Sequence, residues 1–283
     1  AAVGSRKRVM ILLNPAQDVR EWRRSFESGA RLDRTPYGYD RADQWFDLAW
    51  GETLAASRVG QLLRRWSTRW LGCDLPHAWH NRKLILEADV VWTHTEREHL
   101  AVAWLQLLTP RARRVPVVAQ SVWLWDRWAG YGPVRRWLTA GLLRTHAVEL
   151  VHSRLNLEDS RRAVPGRRVE LVPFGSAAAA SGDTPSDSVP GEMPRRPLVL
   201  AVGNDADREW GLLAAVAGLI READFRIASR SRAARSVDWP ENVTLREAGS
   251  AEELRRLYLA ADVVALPLRA NRHASGATVC IEA

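Results

Sequence analysis

The sequence predicts an α/β fold in which two parallel sheets, each in its own domain, are covered by helices. Short, wholly apolar runs alternate with helical patterns through both halves of the chain. Such runs are typical of strands that are buried on both faces of a parallel sheet. A stretch rich in Ala, Ser, Asp and Pro at 176–196 interrupts the alternation, which restarts after it. This composition predicts a linker between the two domains.

The first half contains five predicted strands, all short apolar runs: 9–13, 89–92, 115–119, 149–151 and 169–173. Asn14-Pro15 ends the first of them as a turn. Leu100, Trp104 and Leu107 recur at helical spacing and predict a helix between the second and third strands.

The second half repeats the pattern in fewer residues. Its predicted elements, in order, are a strand at 198–202, a helix at 210–220, a strand at 224–228 and a strand at 263–266. Ser250 and Glu253 predict a capping box at the start of a helix before the last strand. We therefore predict a domain at 1–175, a linker at 176–196 and a second domain at 197–283. A doubly wound domain is usually longer than these 87 residues, so we expect the second one to be incomplete.

Composition narrows the class of protein. A hydrophobic content of 46% and a charged content of 26% are those of a soluble globular protein. The longest apolar run is about half of the ~18 residues that a membrane span needs. Two cysteines are too few for a disulfide framework or a four-ligand zinc site. These features favour a cytoplasmic protein.

The positive charge is concentrated in the first half. Residues 1–178 contain 28 Lys and Arg against 18 Asp and Glu, a surplus of 10. One interpretation is a GC-rich coding bias, because 39 of the 41 basic residues are Arg. The other is an anionic partner, such as the inner face of the cell membrane, on which the protein would be peripheral.

Tryptophan is also concentrated there, since 12 of the 14 precede residue 138. One segment combines it with arginine: Trp123, Trp125, Arg127, Trp128, Arg135, Arg136 and Trp137. This segment is explained by core packing, by a cationic face that touches lipid headgroups, or by stacking of Trp on sugar rings.

A small-residue loop near the end of the sequence predicts an anion site. The loop follows the strand at 263–266 and precedes a predicted helix, so unpaired backbone N–H groups and a helix dipole meet there. A phosphate can bind at such a point, through the amides of Ser275, Gly276, Ala277 and Thr278. The alternative is an ordinary helix start with Ser275 as its N-cap.

Two further side chains flank this loop. Glu282, about two turns into the helix, can reach a sugar hydroxyl, or it is a solvated carboxylate. His273 can bond a sugar oxygen, or it is ordinary polar surface.

A second turn in this domain, after the strand at 198–202, also predicts an anion site. Gly203 ends the strand at 198–202 and lets the backbone approach a ligand. Arg208, at the entrance of the next helix, can hold a phosphate with its planar fork. The alternative is an ordinary turn with a solvated arginine.

These two loops resemble the donor-binding segments of retaining glycosyltransferases of the GT-B fold, family 4. The resemblance rests on Pro267, on the run 273–276 (His-Ala-Ser-Gly) and on Glu282-Ala283. Ala274 stands where the family usually has the first glutamate of a pair. In the family, the turn after the first strand of the second domain carries an arginine and then a lysine. Here Asn204 replaces that arginine, and Arg208 stands near the lysine position.

The resemblance implies two Rossmann-like domains of the GT-B class. It implies transfer of a sugar from a UDP- or GDP-sugar to a glycan, lipid-linked or small-molecule acceptor. It also implies retention of configuration, without a metal or another cofactor. The donor residues would be Gly203, Asn204, Arg208, Ser275, Gly276, Ala277, Thr278 and Glu282.

The first domain offers acceptor-side candidates at strand ends, where such sheets place ligands. His94 and Glu96 follow the second predicted strand, and Gln120 and Ser121 follow the third. Many family members have a catalytic histidine after that third strand, where this chain has Gln120 and Ser121. We take His94, Gln120 and His273 as the catalytic candidates, and the turn at 33–39 as a candidate for shaping the acceptor side.

Other functions remain open at the level of sequence. A sugar-nucleotide epimerase of the same two-domain architecture would use the same donor loops. The absent first glutamate also allows an inactive sugar-nucleotide-binding fragment. A nucleic-acid binder is disfavoured, because Arg and the aromatic residues follow no RNA-binding motif.

Overall fold

The computed structural model describes residues 6–31, 33–53, 57–175 and 196–283. The chain forms two compact units, one of residues 1–24 and 34–173 and the other of residues 25–33 and 174–283. The predicted linker lies outside the described residues except for Arg196. The domain boundaries therefore stay a prediction.

The first unit is built on a parallel sheet with the order β2-β1-β3-β4-β5-β6 in the described part of the chain. Its strands are β1 Arg8–Leu12, β2 Asp47–Trp50, β3 Val90–Thr93, β4 Val117–Gln120, β5 Val148–Val151 and β6 Val169–Leu171. Every neighbouring pair is parallel. Met10, Leu12, Val91, Ala119 and Val151 are fully buried and form the centre of the core.

Helices join and cover these strands. They are α1 Val19–Glu27, α2 Arg58–Trp70, α3 Leu75–His80, α4 Arg82–Leu86, α5 Glu96–Leu107, α6 Leu124–Trp128, α7 Pro133–Leu143 and α8 Arg154–Ala163. Short 3-10 helices lie at Pro15–Gln17, Pro36–Gln44 and Arg111–Arg113. Helix α5 is the one that the sequence predicts between 89 and 115. It begins with a capping box of Thr95 and Glu98, which satisfies its free N–H groups.

The second unit contains a parallel sheet with the order β10-β7-β8-β9. Its strands are β7 Leu198–Val202, β8 Asp224–Ala228, β9 Val243–Arg246 and β10 Val263–Val264. Its helices are α9 Trp210–Leu219, α10 Arg232–Arg235, α11 Ala251–Ala260 and α12 Ala277–Glu282. Trp210, Leu213, Phe225 and Ile227 pack in its core.

Two details differ from the sequence-based expectations. The strand expected at 263–266 has only two ladder residues, although the amide of Ala265 still donates to Leu200. The capping box expected at α11 is only half formed. Ser250 accepts from the amide of Glu253, but the Glu253 carboxylate accepts from the amide of Gly249 instead of Ser250.

The predicted fold class is confirmed: both sheets are parallel and have helices in their connections. The described residues include no helix that is both long and apolar enough to cross a membrane.

Candidate functional site

The second unit brings Gly203 and Arg208 together at the carboxyl edge of its sheet. Gly203 directly follows β7, and Arg208 forms an antiparallel bridge with Leu268, after β10. A Cβ atom on Gly203 would lie 2.1 Å from Nε of Arg208. Only a residue without a side chain leaves room for the guanidinium at this position.

The Arg208 side chain is only 2% exposed, yet its guanidinium is poorly satisfied. Its ion pair with Asp205 is long, with 3.4 Å between Nη2 and the carboxylate oxygen. Nε and Nη1 are buried and have no hydrogen-bond partner among the described residues. Because buried N–H groups of a cation are costly to leave unpaired, this geometry favours an anion beside Arg208.

The predicted loop reaches the same arginine. Gly276 has a left-handed backbone with φ of 82°, and Arg208 Nη1 lies 3.1 Å from where its Cβ would be. The Ser275 hydroxyl donates to Asp205 over 3.1 Å. The two loops that the sequence selects separately are thus parts of one site.

The amides of this loop differ from expectation. Gly276, not Ser275, is the N-cap of α12. The amide of Ser275 donates to the Asn271 side chain, and the amide of Ala277 donates to Ala274. Two of the four predicted phosphate-binding amides therefore already have partners, and α12 is only six residues long. The site depends on the Arg208 side chain rather than on the helix start.

Asn204, which the sequence places in the donor site, has a structural role. Its side-chain oxygen accepts from the amide of Arg230 over 2.7 Å and from the Ser229 hydroxyl over 3.3 Å. It therefore ties the turn after β7 to the turn after β8.

His273 and Glu282 lie near the other members of the site. His273 Nε2 is 3.4 Å from the Asp207 carboxylate, and the histidine side chain is buried. Burial first, and then the nearby Glu282 carboxylate, raise the pKa of Tyr258 on α11. Asp205, Asp207 and Tyr258 are therefore members of this site that the sequence does not single out.

The first unit gathers a second group of polar side chains around His94. Both the Tyr39 hydroxyl and the Gln120 amide lie within 3.2 Å of His94 Nδ1. The Tyr37 ring stacks on the imidazole, with 3.5 Å between ring centroids. Tyr37 has a φ of 58°, which is unusual for a bulky residue. The predicted turn at 33–39 thus closes over His94.

The protonation state of His94 follows from its surroundings. Burial, together with His152, lowers the pKa of the imidazole to about 3. The ring is therefore neutral above about pH 5. Since the Gln120 N–H donates to Nδ1, the ring proton is on Nε2. His94 can offer a hydrogen bond to a ligand but no charge.

Glu96 and Ser121 are not available to a ligand. The Glu96 carboxylate is buried and accepts from the amides of Val122 and Trp123 and from Arg127. Ser121 is fully buried, and its hydroxyl lies 3.1 Å from His99 Nε2. Both residues stabilise the carboxyl edge of the sheet instead of lining a site.

The Trp- and Arg-rich segment at 123–137 is partly internal packing and partly surface, because Trp123, Arg127, Arg136 and Trp137 are exposed. Trp125 is buried, packs against the tilted ring of Trp128 and donates to Glu149. Arg135 lies over the Tyr131 ring, and Arg136 donates to backbone oxygens. Core packing is confirmed for Trp125, whereas contact with lipid headgroups or sugar rings stays a prediction for the exposed residues of the segment.

No protein-family model matches the chain, and no curated protein matches it. Among solved structures, it is similar to a sucrose-phosphate synthase from Thermosynechococcus elongatus, with a TM-score of 0.58 and 14% identity over 93% of this chain and 76% of that one. It is also similar to Anabaena HepE in complex with UDP and glucose, with a TM-score of 0.57 and 12% identity over 98% and 78% of the two chains. The predicted resemblance to the GT-B class is thereby confirmed at the level of the fold.

Proposed function

We propose that the chain is a glycosyltransferase whose second unit binds the diphosphate of a nucleotide-sugar through Arg208. The observation that carries the proposal is the buried guanidinium with two unpaired N–H groups. Gly203 and Gly276 make room beside it. The solved structure of HepE with UDP and glucose shows that a protein of this fold binds such a nucleotide.

In the proposed reaction, the bond from sugar C1 to the phosphate oxygen breaks and a bond from C1 to the acceptor oxygen forms. Negative charge builds on the leaving diphosphate, which takes up the proton that the acceptor hydroxyl loses. Arg208 would stabilise that charge from a buried position, where an ionic hydrogen bond is strong. We propose that this arginine takes the part that a metal plays elsewhere, so that transfer needs no divalent cation.

The remaining roles follow from position. Glu282, beside Tyr258, is proposed to contact the ribose of the nucleotide. His94 is neutral, so we propose that its Nε2–H orients a sugar oxygen and that Gln120 fixes its tautomer. His273, held by Asp207, is proposed to contact the donor sugar. The resemblance to family 4 favours retention of configuration and a glycan, lipid-linked or small-molecule acceptor.

Turnover assays test this function. The chain is incubated with UDP- and GDP-sugars and with a panel of acceptors, in the presence and absence of EDTA. Acceptor-dependent release of nucleoside diphosphate, unchanged by EDTA and lost in Arg208→Ala, supports the proposal. Conversion of the donor sugar to its epimer without acceptor would instead identify an epimerase. Binding of nucleotide without any turnover would identify an inactive binding protein.

A further inference from the structure

Helix α2 exposes an apolar stripe to solvent. The stripe consists of Val59, Leu62, Leu63, Trp66 and Trp70, which follow helical spacing and occupy an arc of about 100°. Each of the five side chains is between 53% and 68% exposed. An amphipathic helix of a globular protein normally turns such a stripe toward the core, so this orientation requires an explanation.

The side of α2 that faces the protein adjoins one edge of the stripe and is polar. Ser67 is buried on this side, and its hydroxyl donates to the carbonyl of Arg64. Arg64 in turn pairs with Asp74, the N-cap of α3. The helix is therefore held by polar contacts, and its apolar face is not needed for the core of its own unit.

Arginines flank the stripe. Arg58, Arg65 and Arg69 are exposed, and α2 contains no acidic residue. Arg64, Arg65, Arg69 and Arg97 also line a shallow depression beside the helix. The stripe is thus bordered on one side by a row of cations at the surface.

The apolar surface continues onto the neighbouring helix α7. Trp70 and Val134 line one groove. Val134 and Trp137, one helical turn apart, are 69% and 74% exposed. The two helices together present an apolar face with tryptophan at several points and arginine along its border.

We propose that α2, with the exposed edge of α7, is a surface helix that lies in the interface of an anionic phospholipid bilayer. The apolar stripe would enter the boundary between headgroups and acyl chains, and the arginines would contact lipid phosphates. Tryptophan suits that boundary, because its ring is apolar and its N–H is polar. A second copy of the chain fits this face less well, because it would bring two rows of arginines together without acidic partners.

The inference does not depend on the proposed sugar transfer. Its test is co-sedimentation of the full chain with vesicles of phosphatidylcholine alone and of phosphatidylcholine and phosphatidylglycerol in equal parts. We expect binding to the anionic vesicles and little to the neutral ones. Raising the salt concentration should weaken it, because exposed charges are screened.

Two variants separate the two parts of the face. Replacing Leu62, Leu63 and Trp66 together by Ser should weaken binding at least about tenfold, because apolar area no longer enters the lipid. Replacing Arg58, Arg65 and Arg69 together by Gln should weaken it by roughly fivefold per charge. The matched control replaces Arg154, Arg162 and Arg168 by Gln, at the β6 end of the sheet. This control variant loses the same number of charges as the α2 arginine variant, and it should bind lipid more strongly than that variant does.

The affected side chains are exposed, so all variants should melt like the unmodified chain, which thermal unfolding checks. Equal binding by both α2 variants and the unmodified chain would overturn the proposal, as would the absence of vesicle binding. Self-association in solution that the leucine and tryptophan substitutions abolish would show that the face binds a second copy instead.

Discussion

Gly203 and Arg208 are fitted to each other, because the guanidinium occupies the space that a side chain at 203 would fill. Gly203→Ala should therefore displace the arginine. We expect a loss of about 1–3 kcal/mol of unfolding free energy, typical of overpacking, together with weaker nucleotide binding. Urea unfolding and calorimetry with UDP measure the two effects.

The control for that substitution is Gly211→Ala. Gly211 lies in α9, and a Cβ at this position would meet no atom within 4 Å. Alanine is the better helix former, so this variant should be stabilised by roughly 0.5–1 kcal/mol. If Gly203→Ala were stabilised as Gly211→Ala is expected to be, Arg208 would be able to move without loss of unfolding free energy.

Glu98 should make the stability of the chain fall as pH rises. Burial raises the pKa of its carboxyl to about 7, against an ordinary value of 4.5. Between these two pH values the folded state keeps a proton on Glu98 that the unfolded state releases. The resulting stabilisation is complete below about pH 4.5 and is lost as the pH rises through about 7.

Glu98→Gln should remove this dependence. Relative to the variant, the unmodified chain should lose up to about 3 kcal/mol between pH 4.5 and 8. Urea unfolding of both chains across this range measures the difference. Glu158→Gln, at an exposed position of α8, is the control and should change nothing. A difference that stayed constant with pH would contradict the raised pKa.

Glu149, a residue of β5, forms a buried ion pair with Arg167. Their atoms are 2.8 Å apart, and the same carboxylate also accepts from Trp125 and Ser160. Arg167→Met should leave the carboxylate buried without its cation, at a cost of about 3–5 kcal/mol. Thermal and urea unfolding test this. Arg162→Met, which breaks an exposed pair with Asp159, should cost about 0–1 kcal/mol.

The strands that the sequence predicts include the central strands of both sheets and the edge strands β6 and β10. Strand β7 is wholly apolar and β8 has three apolar residues of five, and both match the predicted ranges. The sequence missed β2 and β9, which are four residues long. Strand β9 alternates apolar and polar residues and β2 has three apolar residues after Asp47, and both signals are too short to identify.

The sequence predicts those parts of the candidate site whose residues lie within one short segment of the chain. Arg208 and the loop at 273–276 can be selected from turn composition alone. The pairing of Asp205 with Arg208 and Ser275 requires two loops that are about 70 residues apart in the chain to meet, which no local pattern reveals. Tyr37 and Tyr39 reach His94 in the same way.

Periodicity also has a limit of its own. The spacing of Leu62, Leu63 and Trp66 predicts a helix with an apolar face, but not which way that face turns. The exposure of these three side chains and the burial of Ser67 show that the apolar face is turned to solvent.

Calorimetry with UDP and GDP tests the central claim most directly, using the unmodified chain, Arg208→Ala, Arg208→Lys and Arg235→Ala. Arg235 is exposed on α10, so its variant controls for the loss of one charge in the same unit. We predict that the unmodified chain and Arg235→Ala bind one of the nucleotides equally. Arg208→Ala should bind it about tenfold or more weakly, since an ionic hydrogen bond contributes about 1.5–3 kcal/mol, and Arg208→Lys should fall between them. Equal affinity of all four chains, with all four folded, would contradict the claim that Arg208 holds the diphosphate.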